Sequence, residues 1–197
     1  MTTLALLLIA PNQLNLKVGD HWPAAEQRTF RQEGDLVFSE RYDIGFKVLA
    51  IKEGLIDVEV THRLTETVTP GVRLGPPPGS KPEKWTETWD IHGGTVKANF
   101  HPSYADTFRV FRLGRPVLGG GSLASFVEGL PTATWTMGTD DWSFAEKDGI
   151  KGKFKVELDP KTGVPVSVKG TVLAMPIPGG EEAADLTYEF KSIPPKR

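Results

Sequence analysis

The chain contains no cysteine among its 197 residues. This absence excludes disulfide bonds, thiolate metal ligands, cysteine nucleophiles and a lipid-modified N-terminal cysteine. Positive and negative charges are nearly balanced, because the chain has 23 Lys and Arg residues and 25 Asp and Glu residues, which gives a net charge of −2. A chain this close to neutrality gives no reason to expect nucleic acid or an anionic membrane surface as a partner.

Motifs for enzymatic chemistry are also missing. The four histidines show no spacing typical of a metal site, such as His-x-His or His-x-x-x-His. The Gly-x-Ser-x-Gly motif of serine hydrolases does not occur, and Gly119–Ser122 lacks the lysine of a phosphate-binding loop. The sequence therefore predicts no catalytic residue, no metal ligand and no cofactor, and it favours a protein that is not an enzyme.

No hydrophobic run is long, and the N-terminal one, Leu4–Ala10, is too short to span a bilayer. It also lacks the basic residues and the small-x-small cleavage site of a complete signal peptide. We interpret residues 1–13 as a partial signal peptide or an apolar tail, and residues 14–197 as a single β-rich domain. We favour an extracytoplasmic location, periplasmic or secreted, and expect no transmembrane segment.

What the sequence does contain is a long alternation of apolar and polar residues from Leu36 to Thr69. A period of two with many β-branched and aromatic residues predicts strands rather than a helix. The turn Lys52–Gly54 suits a three-residue loop, so that Ile51 faces Leu55 in a hairpin. This register pairs Val48 with Val58 and Phe46 with Val60 on one face, and Lys47 with Glu59 and Asp43 with Arg63 on the other.

The length of this hairpin predicts curvature. Strands of about sixteen residues would span roughly 53 Å, whereas a compact chain of this size is roughly 40 Å across. The hairpin must therefore twist and curl, with its apolar face inward. The same register sets Glu40 against Glu66 on the apolar face, which predicts either a bulge there or a hairpin end that extends into water.

Further hairpins and one or two helices complete the predicted fold. The period changes to that of a helix in Tyr104–Leu113, and Ser122–Gly129 is a second, shorter candidate. The sequence thus predicts a mainly β (α+β) fold, a curled antiparallel sheet or half-barrel of about 8–10 strands covered by one or two helices. The additional hairpins pair Trp85–Ile91 with Val96–Phe100, so that Trp89 faces Ala98, and Phe154–Leu158 with Val164–Val168, so that Val156 faces Val166.

Aromatic residues and one histidine are the candidates for a binding site. Trp85 and Trp89 share one face of a hairpin, where they could line a cleft for an apolar ligand or fill the interior of a curled sheet. His62 falls on the apolar face opposite Ile44, where it could act as a ligand or an acid–base group or be a hydrogen-bonded core histidine. In both cases packing in the core is the preferred interpretation.

Two segments resemble those of known proteins. Leu16–Trp22 reads Leu-Lys-Val-Gly-Asp-His-Trp, and Leu158–Val166 reads Leu-Asp-Pro-Lys-Thr-Gly-Val-Pro-Val. With the long amphipathic hairpins, they resemble secreted bacterial β-rich proteins of unassigned function and, more distantly, the periplasmic lipoprotein-carrier fold, in which a curled antiparallel sheet plugged by helices holds acyl chains. The resemblance implies an apolar pocket between the sheet and Tyr104–Leu113. No binding residue of that family can be placed on this chain position by position. The residues that we predict to contact a ligand are Tyr42, Phe46, His62, Trp85, Trp89, Phe108 and Phe111.

We therefore expect an extracytoplasmic, non-enzymatic binding or carrier protein for a hydrophobic, lipid-like ligand. The alternative is a structural or assembly module that has a filled interior and binds another protein through its sheet. An enzyme is the least favoured class, and polar side chains that converge on one cleft with His62 among them would favour it.

Overall fold

The alternation of apolar and polar residues becomes a single β-sheet. The computed structural model describes residues 13–76, 78–91, 95–99, 134–137, 141–145, 150–177 and 182–197. Within these ranges the chain forms eleven β-strands and no helix. The strands are β1 (His21–Gln32), β2 (Asp35–Lys52), β3 (Leu55–Thr69), β4 (Val72–Leu74), β5 (Glu83–Asp90), β6 (Thr95–Asn99), β7 (Thr134–Met137), β8 (Asp141–Ala145), β9 (Lys151–Leu158), β10 (Pro165–Pro176) and β11 (Ala183–Ser192).

All neighbouring strands of this sheet run antiparallel. Their order is β6-β5-β3-β2-β1-β11-β10-β9-β8-β7, and β4 pairs with β3. In the part of the chain that the structure describes, the outermost strands β6 and β7 do not pair with each other, so the sheet is open rather than closed into a barrel. We call β1–β6 the N-terminal half and β7–β11 the C-terminal half, and they meet where β1 pairs with β11.

The prediction of a mainly β chain with an antiparallel sheet is confirmed. The two predicted helices, Tyr104–Leu113 and Ser122–Gly129, lie outside the described residues. Among the residues that are described, no helix is long and apolar enough to cross a membrane.

The sheet buries one face and exposes the other. In β11, for example, buried and exposed side chains alternate along the whole strand, because successive side chains of a strand point to opposite faces. We call the buried side the inner face; it carries Trp22, Phe46, Val60 and Leu186. The opposite side, which carries exposed residues such as Lys47, is the outer face. Burial of the apolar side chains on the inner face is the main driving force for this fold.

The β2–β3 hairpin has the predicted register through its middle. The four predicted cross-strand pairs are all present: Val48–Val58, Phe46–Val60, Lys47–Glu59 and Asp43–Arg63. The predicted conflict between Glu40 and Glu66 is relieved by a bulge next to Tyr42, which sets Arg41 opposite Glu66 instead. The bulge thus replaces a like-charge pair with an opposite-charge pair.

At the tip of this hairpin the predicted turn is wrong. Glu53 and Gly54 form a two-residue turn in which both have positive φ, 50° and 78°, so that Lys52 rather than Ile51 faces Leu55. Two-residue turns of this kind match the right-handed twist of the flanking strands, whereas turns of types I and II would splay them. A bulge at Leu49, between Val48 and Ala50, absorbs the resulting shift.

The predicted register of the β9–β10 hairpin is also wrong. Val156 faces Val168 rather than Val166. The Asp159–Val164 turn is held by its own hydrogen bonds, and the ladder shifts between Pro165 and Ser167, so Val166 is left without a partner in the ladder. The shift is an even number of residues, so the apolar side chains stay on the inner face.

The β5–β6 hairpin differs from its prediction as well. Trp89 faces Thr95 rather than Ala98, because Ala98 lies opposite Glu87 and the register shifts by one further residue between Thr88 and Trp89. The alternation within β5 is unaffected, and Trp85 and Trp89 both lie on the inner face.

Candidate functional site

Strand β5 places two tryptophans and one glutamate on the inner face. Trp85, Glu87 and Trp89 are alternate residues, so their side chains project to the same side. The indole N–H of Trp85 donates to Oε1 of Glu87 at 2.7 Å, and that of Trp89 donates to Oε2 at 2.8 Å. Because Glu87 is only 2% exposed, these bonds help to compensate for the desolvation of its carboxyl group.

Trp89 belongs to a cluster of aromatic rings on the same face. The rings of Trp22 and Phe46 stack with centroids 5.1 Å apart, and both meet the ring of Trp89 edge-on, at 6.2 Å and 5.8 Å. These distances are typical of favourable aromatic pairs. We call Trp22, Phe46, Trp85 and Trp89 the aromatic wall.

Polar side chains converge in the middle of the inner face, where the two halves of the sheet meet. Glu26 and Arg28 of β1 form an ion pair, and Oη of Tyr188 in β11 donates to Oε2 of Glu26 at 3.2 Å. The guanidinium of Arg28 lies over the ring of Tyr42, 5.0 Å from its centroid. On β3, the ring of His62 stacks on that of Tyr42 with centroids 4.3 Å apart. We call Glu26, Arg28, Tyr42, His62 and Tyr188 the polar patch.

The polar patch is continuous with the aromatic wall. The ring of His62 meets the ring of Trp85 edge-on, with centroids 6.0 Å apart. On the other side of the patch, the hydroxyl of Tyr42 donates to Oε2 of Glu40 at 2.7 Å. A ligand that reached this face would meet apolar rings and hydrogen-bonding groups side by side.

Burial and neighbouring charges shift the pKa values of Arg28 and Tyr42. For Arg28, which is 7% exposed, burial by itself lowers the pKa, but the charge of Glu26 and the nearby Tyr42 and Tyr188 raise it, and the net pKa lies above its usual value. Burial raises the pKa of Tyr42 well above its usual value; Arg28 opposes this shift and Glu40 adds to it. Arg28 therefore stays charged and Tyr42 stays a neutral hydrogen-bond donor near neutral pH.

The arrangement gathers hydrogen-bonding groups and an ion pair around His62. This convergence of polar side chains is the feature that would favour an enzyme, and the ring of His62 itself stacks on that of Tyr42. Within the described ranges, no group of three or more His, Asp or Glu side chains could hold a metal ion. What the patch can supply is hydrogen bonds and the buried ion pair of Glu26 and Arg28.

Five of the seven predicted binding residues lie together on the inner face of the N-terminal half. Tyr42, His62 and Trp85 form a continuous row of rings. Phe46 and Trp89 lie in the aromatic wall. The remaining two, Phe108 and Phe111, lie outside the described residues.

Sequence reasoning does not identify the charged members of the site. Glu26 and Arg28 occupy even positions of β1, in phase with the buried Trp22 and Phe30. Their position in this alternation is the one sequence signal that could have identified them, because a polar residue an even number of positions from apolar residues of the same strand lies on the same face. The same reasoning would have found Glu87 between its two tryptophans.

Among the described side chains of β9–β11, the inner face is mostly apolar, with Tyr188 and Ser192 as its buried polar members. Tyr188 is its single contribution to the polar patch. The ring of Phe154 meets that of Tyr188 edge-on, with centroids 6.5 Å apart. The other buried apolar side chains of these strands are Val156, Val168, Val172, Met175, Ala184, Leu186 and Phe190.

The fold and the site define a class: an open antiparallel β-sheet protein that buries a polar patch among apolar side chains on one face. No protein-family model, no curated protein and no solved structure matches this chain. Its function must therefore be inferred from its own residues.

Proposed function

We propose that this protein binds or carries a hydrophobic, lipid-like ligand outside the cytoplasm and is not an enzyme. The observation that carries the proposal is the composition of the inner face, on which an aromatic wall adjoins a small set of hydrogen-bonding groups. Sites for small molecules are mostly apolar and aromatic, with a few polar groups that orient the ligand. The inner face has both components.

In this proposal the ligand contacts Tyr42, Phe46, His62, Trp85 and Trp89, and its polar end lies near Arg28. The sheet would curl toward its inner face, as in the periplasmic lipoprotein-carrier fold that the sequence resembles. The one or two helices predicted from the sequence remain predictions, because they lie outside the described residues.

Native mass spectrometry of the protein purified from its own host tests the proposal. A carrier is expected to retain a lipid, seen as added mass that disappears after extraction with organic solvent. A bare mass, together with no uptake of a fluorescent long-chain fatty acid, would contradict the proposal.

Two neighbouring residues of β2 provide a matched pair of variants for the uptake assay. Tyr42 lies on the inner face and Asp43 on the outer face. Tyr42→Gln removes a ring from the proposed contact surface, so we expect weaker uptake of the fatty acid. Asp43→Gln should leave uptake unchanged, and an equal loss in both variants would argue against a site on the inner face.

A structural or assembly module is the second candidate. The observation that favours it is the close contact among the rings of Trp22, Phe46 and Trp89, which fill space against one another. Exposed apolar side chains near the tip of the β2–β3 hairpin, Leu49 and Leu55, could then contact another protein. A bare mass with co-purification of a defined protein partner would favour this module.

A further inference from the structure

The segment that precedes β1 crosses from one half of the sheet to the other. The backbone N–H of Leu14 donates to the carbonyl of Ile91, which directly follows β5 in the N-terminal half, at 2.6 Å. The next N–H, that of Asn15, donates to the carbonyl of Thr162 in the β9–β10 turn of the C-terminal half, at 2.9 Å. We call Leu14–Asp20 the clasp.

The two anchor points of the clasp lie close together. Because consecutive residues are about 3.8 Å apart along the chain, the carbonyl oxygens of Ile91 and Thr162 are within about 10 Å of each other. Five strand spacings separate β5 from β10 in the sheet order, and a flat sheet would place these strands about 24 Å apart. The clasp therefore joins strands that a sheet bent at this end brings together.

The rest of the clasp is held at the same end of the sheet. The side chain of Leu16 is buried, and the N–H of Gly19 donates to the carbonyl of Val48, near the end of β2, at 2.9 Å. The carboxylate of Asp20 forms an ion pair with the guanidinium of Arg197, and these side chains are only 13% and 15% exposed. Backbone bonds, an apolar side chain and an ion pair thus fix the clasp in place.

Along β2 and β3, burial of the inner face decreases away from the clasp. Next to the clasp, Val48 and Ile56 are 1% and 2% exposed. At the other end of the same strands, the side chains of Phe38, Tyr42 and Leu64 are only half-buried, and we call these three the rim. The inner face is therefore closed beside the clasp and partly open to solvent at the rim.

We propose that the lipid-like ligand reaches the inner face through the rim, while the clasp keeps the opposite end closed. This route rests on the proposed function, because the ligand is the one proposed there. The rings of Tyr42 and His62 lead from the rim to Trp85 of the aromatic wall. An entering ligand exchanges one aromatic surface for the next, and such surfaces supply much of the contact area in apolar sites.

Single cysteines introduced into this cysteine-free chain test the proposal. Leu64→Cys places a thiol at the rim, and Val48→Cys places one next to the clasp. Each rate of reaction with N-ethylmaleimide, followed by mass spectrometry, is divided by the rate of the same variant unfolded in urea. We expect Leu64→Cys to react about tenfold faster or more, because a buried thiol reacts only when the structure opens locally. Equal rates overturn the proposal, and Val58→Cys, at a position that is 0% exposed, replaces Val48→Cys if the latter does not fold.

Loosening the clasp tests its role in closing one end. Asp20→Asn removes the charge that Arg197 binds, so the reaction of Val48→Cys should become about two- to fivefold faster. The reaction of Leu64→Cys should not change. Asp35→Asn makes the same change of charge at an exposed position at the far end of β2 and should alter neither rate. An equal rise at both cysteines, or no rise at Val48→Cys, overturns the role of the clasp.

A long-chain fatty acid distinguishes failure of this route from failure of the proposed function. At ten times its Kd, the fatty acid should slow the reaction of Leu64→Cys about tenfold, because only unbound protein then exposes the thiol. Binding in the uptake assay without this protection overturns the route alone and shows that the rim is an exposed hairpin end. Absence of binding overturns the proposed function and the route with it.

Discussion

The two halves of the sheet share one strand pattern but differ in the polar groups that their inner faces bury. The N-terminal half buries polar groups on its inner face, including Glu26, Arg28 and Glu87, and pairs opposite charges on its outer face. The described inner face of β9–β11 is mostly apolar, and the outer face of these strands pairs Lys155 with Asp141 and Lys169 with Glu189. The two halves therefore share their strand pattern and the pairing of opposite charges on the outer face, and they differ in the charged groups that the inner face buries.

The contact between the halves is itself polar. Tyr188 of the C-terminal half donates to Glu26 of the N-terminal half across the β1–β11 pairing. A slip of one residue in this pairing would turn Tyr188 away from Glu26 and leave the ion pair with fewer partners. The polar patch thus opposes incorrect pairing of β1 with β11, in addition to any role in binding.

The largest expected effect comes from breaking the ion pair at this junction. Arg28→Met leaves Glu26, which is 1% exposed, as a buried carboxylate without its cation. Removing one partner of a buried pair typically costs about 3–5 kcal/mol. We expect a loss of that size in the free energy of unfolding, measured by urea denaturation at neutral pH.

The double variant Glu26→Leu/Arg28→Met supplies the control for this prediction. Replacing both charges with apolar side chains removes the need for compensation, so much of the lost stability should return. If Arg28→Met alone costs less than about 1 kcal/mol, as exposed pairs do, the pair is not buried in solution and the contrast between the two inner faces fails.

Two glycines, Gly170 on the inner face of the C-terminal half and Gly45 on the outer face of the N-terminal half, allow a direct test of how tightly the inner face is packed. A Cβ on Gly170 would lie 2.1 Å from Cδ1 of Phe154 and 2.3 Å from the carbonyl oxygen of Lys153. Because the backbone cannot move aside cheaply, Gly170→Ala should cost about 3 kcal/mol in thermal or urea unfolding. A Cβ on Gly45 would meet only Oγ1 of Thr61, at 2.5 Å.

Gly45→Ala is therefore the matched control, with an expected cost of about 1 kcal/mol, since a side-chain rotation can relieve the contact. Equal costs at both positions would show that the packing of Phe154 over Gly170 is no tighter than the outer surface. In a Phe154→Ala background the penalty of Gly170→Ala should shrink, because only the contact with the Lys153 carbonyl remains.

The sequence predicts the register of one hairpin through its middle. In β2–β3, the apolar alternation and two opposite-charge pairs select the same register, and that register is correct from Tyr42 to Val48, between the two bulges. In β5–β6 the predicted register also pairs opposite charges, Asp90 with Lys97, yet Lys97 lies opposite Thr88. In β9–β10 only parity was available, and a register two residues away satisfies parity equally well. The turn that decides between them depends on side-chain hydrogen bonds from Thr162 to Asp159, which alternation does not encode.

The site is predictable only in its apolar part. Aromatic residues at the apolar positions of an alternating strand are expected to face inward. This explains why the sequence predicts Phe46, Trp85 and Trp89 as members of one face. Glu26 and Arg28 break the expectation that inward positions are apolar. Their pairing depends on contacts among β1, β2 and β11, which join distant parts of the chain and have no local signature.

The smallest expected effect on the free energy of unfolding comes from a substitution in the Asp159–Val164 turn, which contacts the chain segment that leads into β1. The side chain of Thr162 and its backbone N–H both donate to Oδ2 of Asp159, at 2.6 Å and 2.8 Å, and these bonds, led by the hydroxyl, lower the pKa of Asp159. The carbonyl of Thr162 in turn accepts from the backbone N–H of Asn15, which precedes β1. The turn therefore links the C-terminal half to the chain that enters the N-terminal half.

Because the pKa of Asp159 is lower in the folded state, its carboxylate stabilises the fold at pH values above its unfolded pKa of about 3.9. This contribution is lost as the pH falls through the pKa of Asp159 in the folded state. Asp159→Asn removes the titration, so the stability difference between native protein and variant should be constant above about pH 5 and shrink toward about pH 2. Urea unfolding across this range measures it. A double-mutant cycle with Thr162→Val should show a coupling that vanishes at the acidic end; a coupling independent of pH would mean that the ionised carboxylate does not hold the turn.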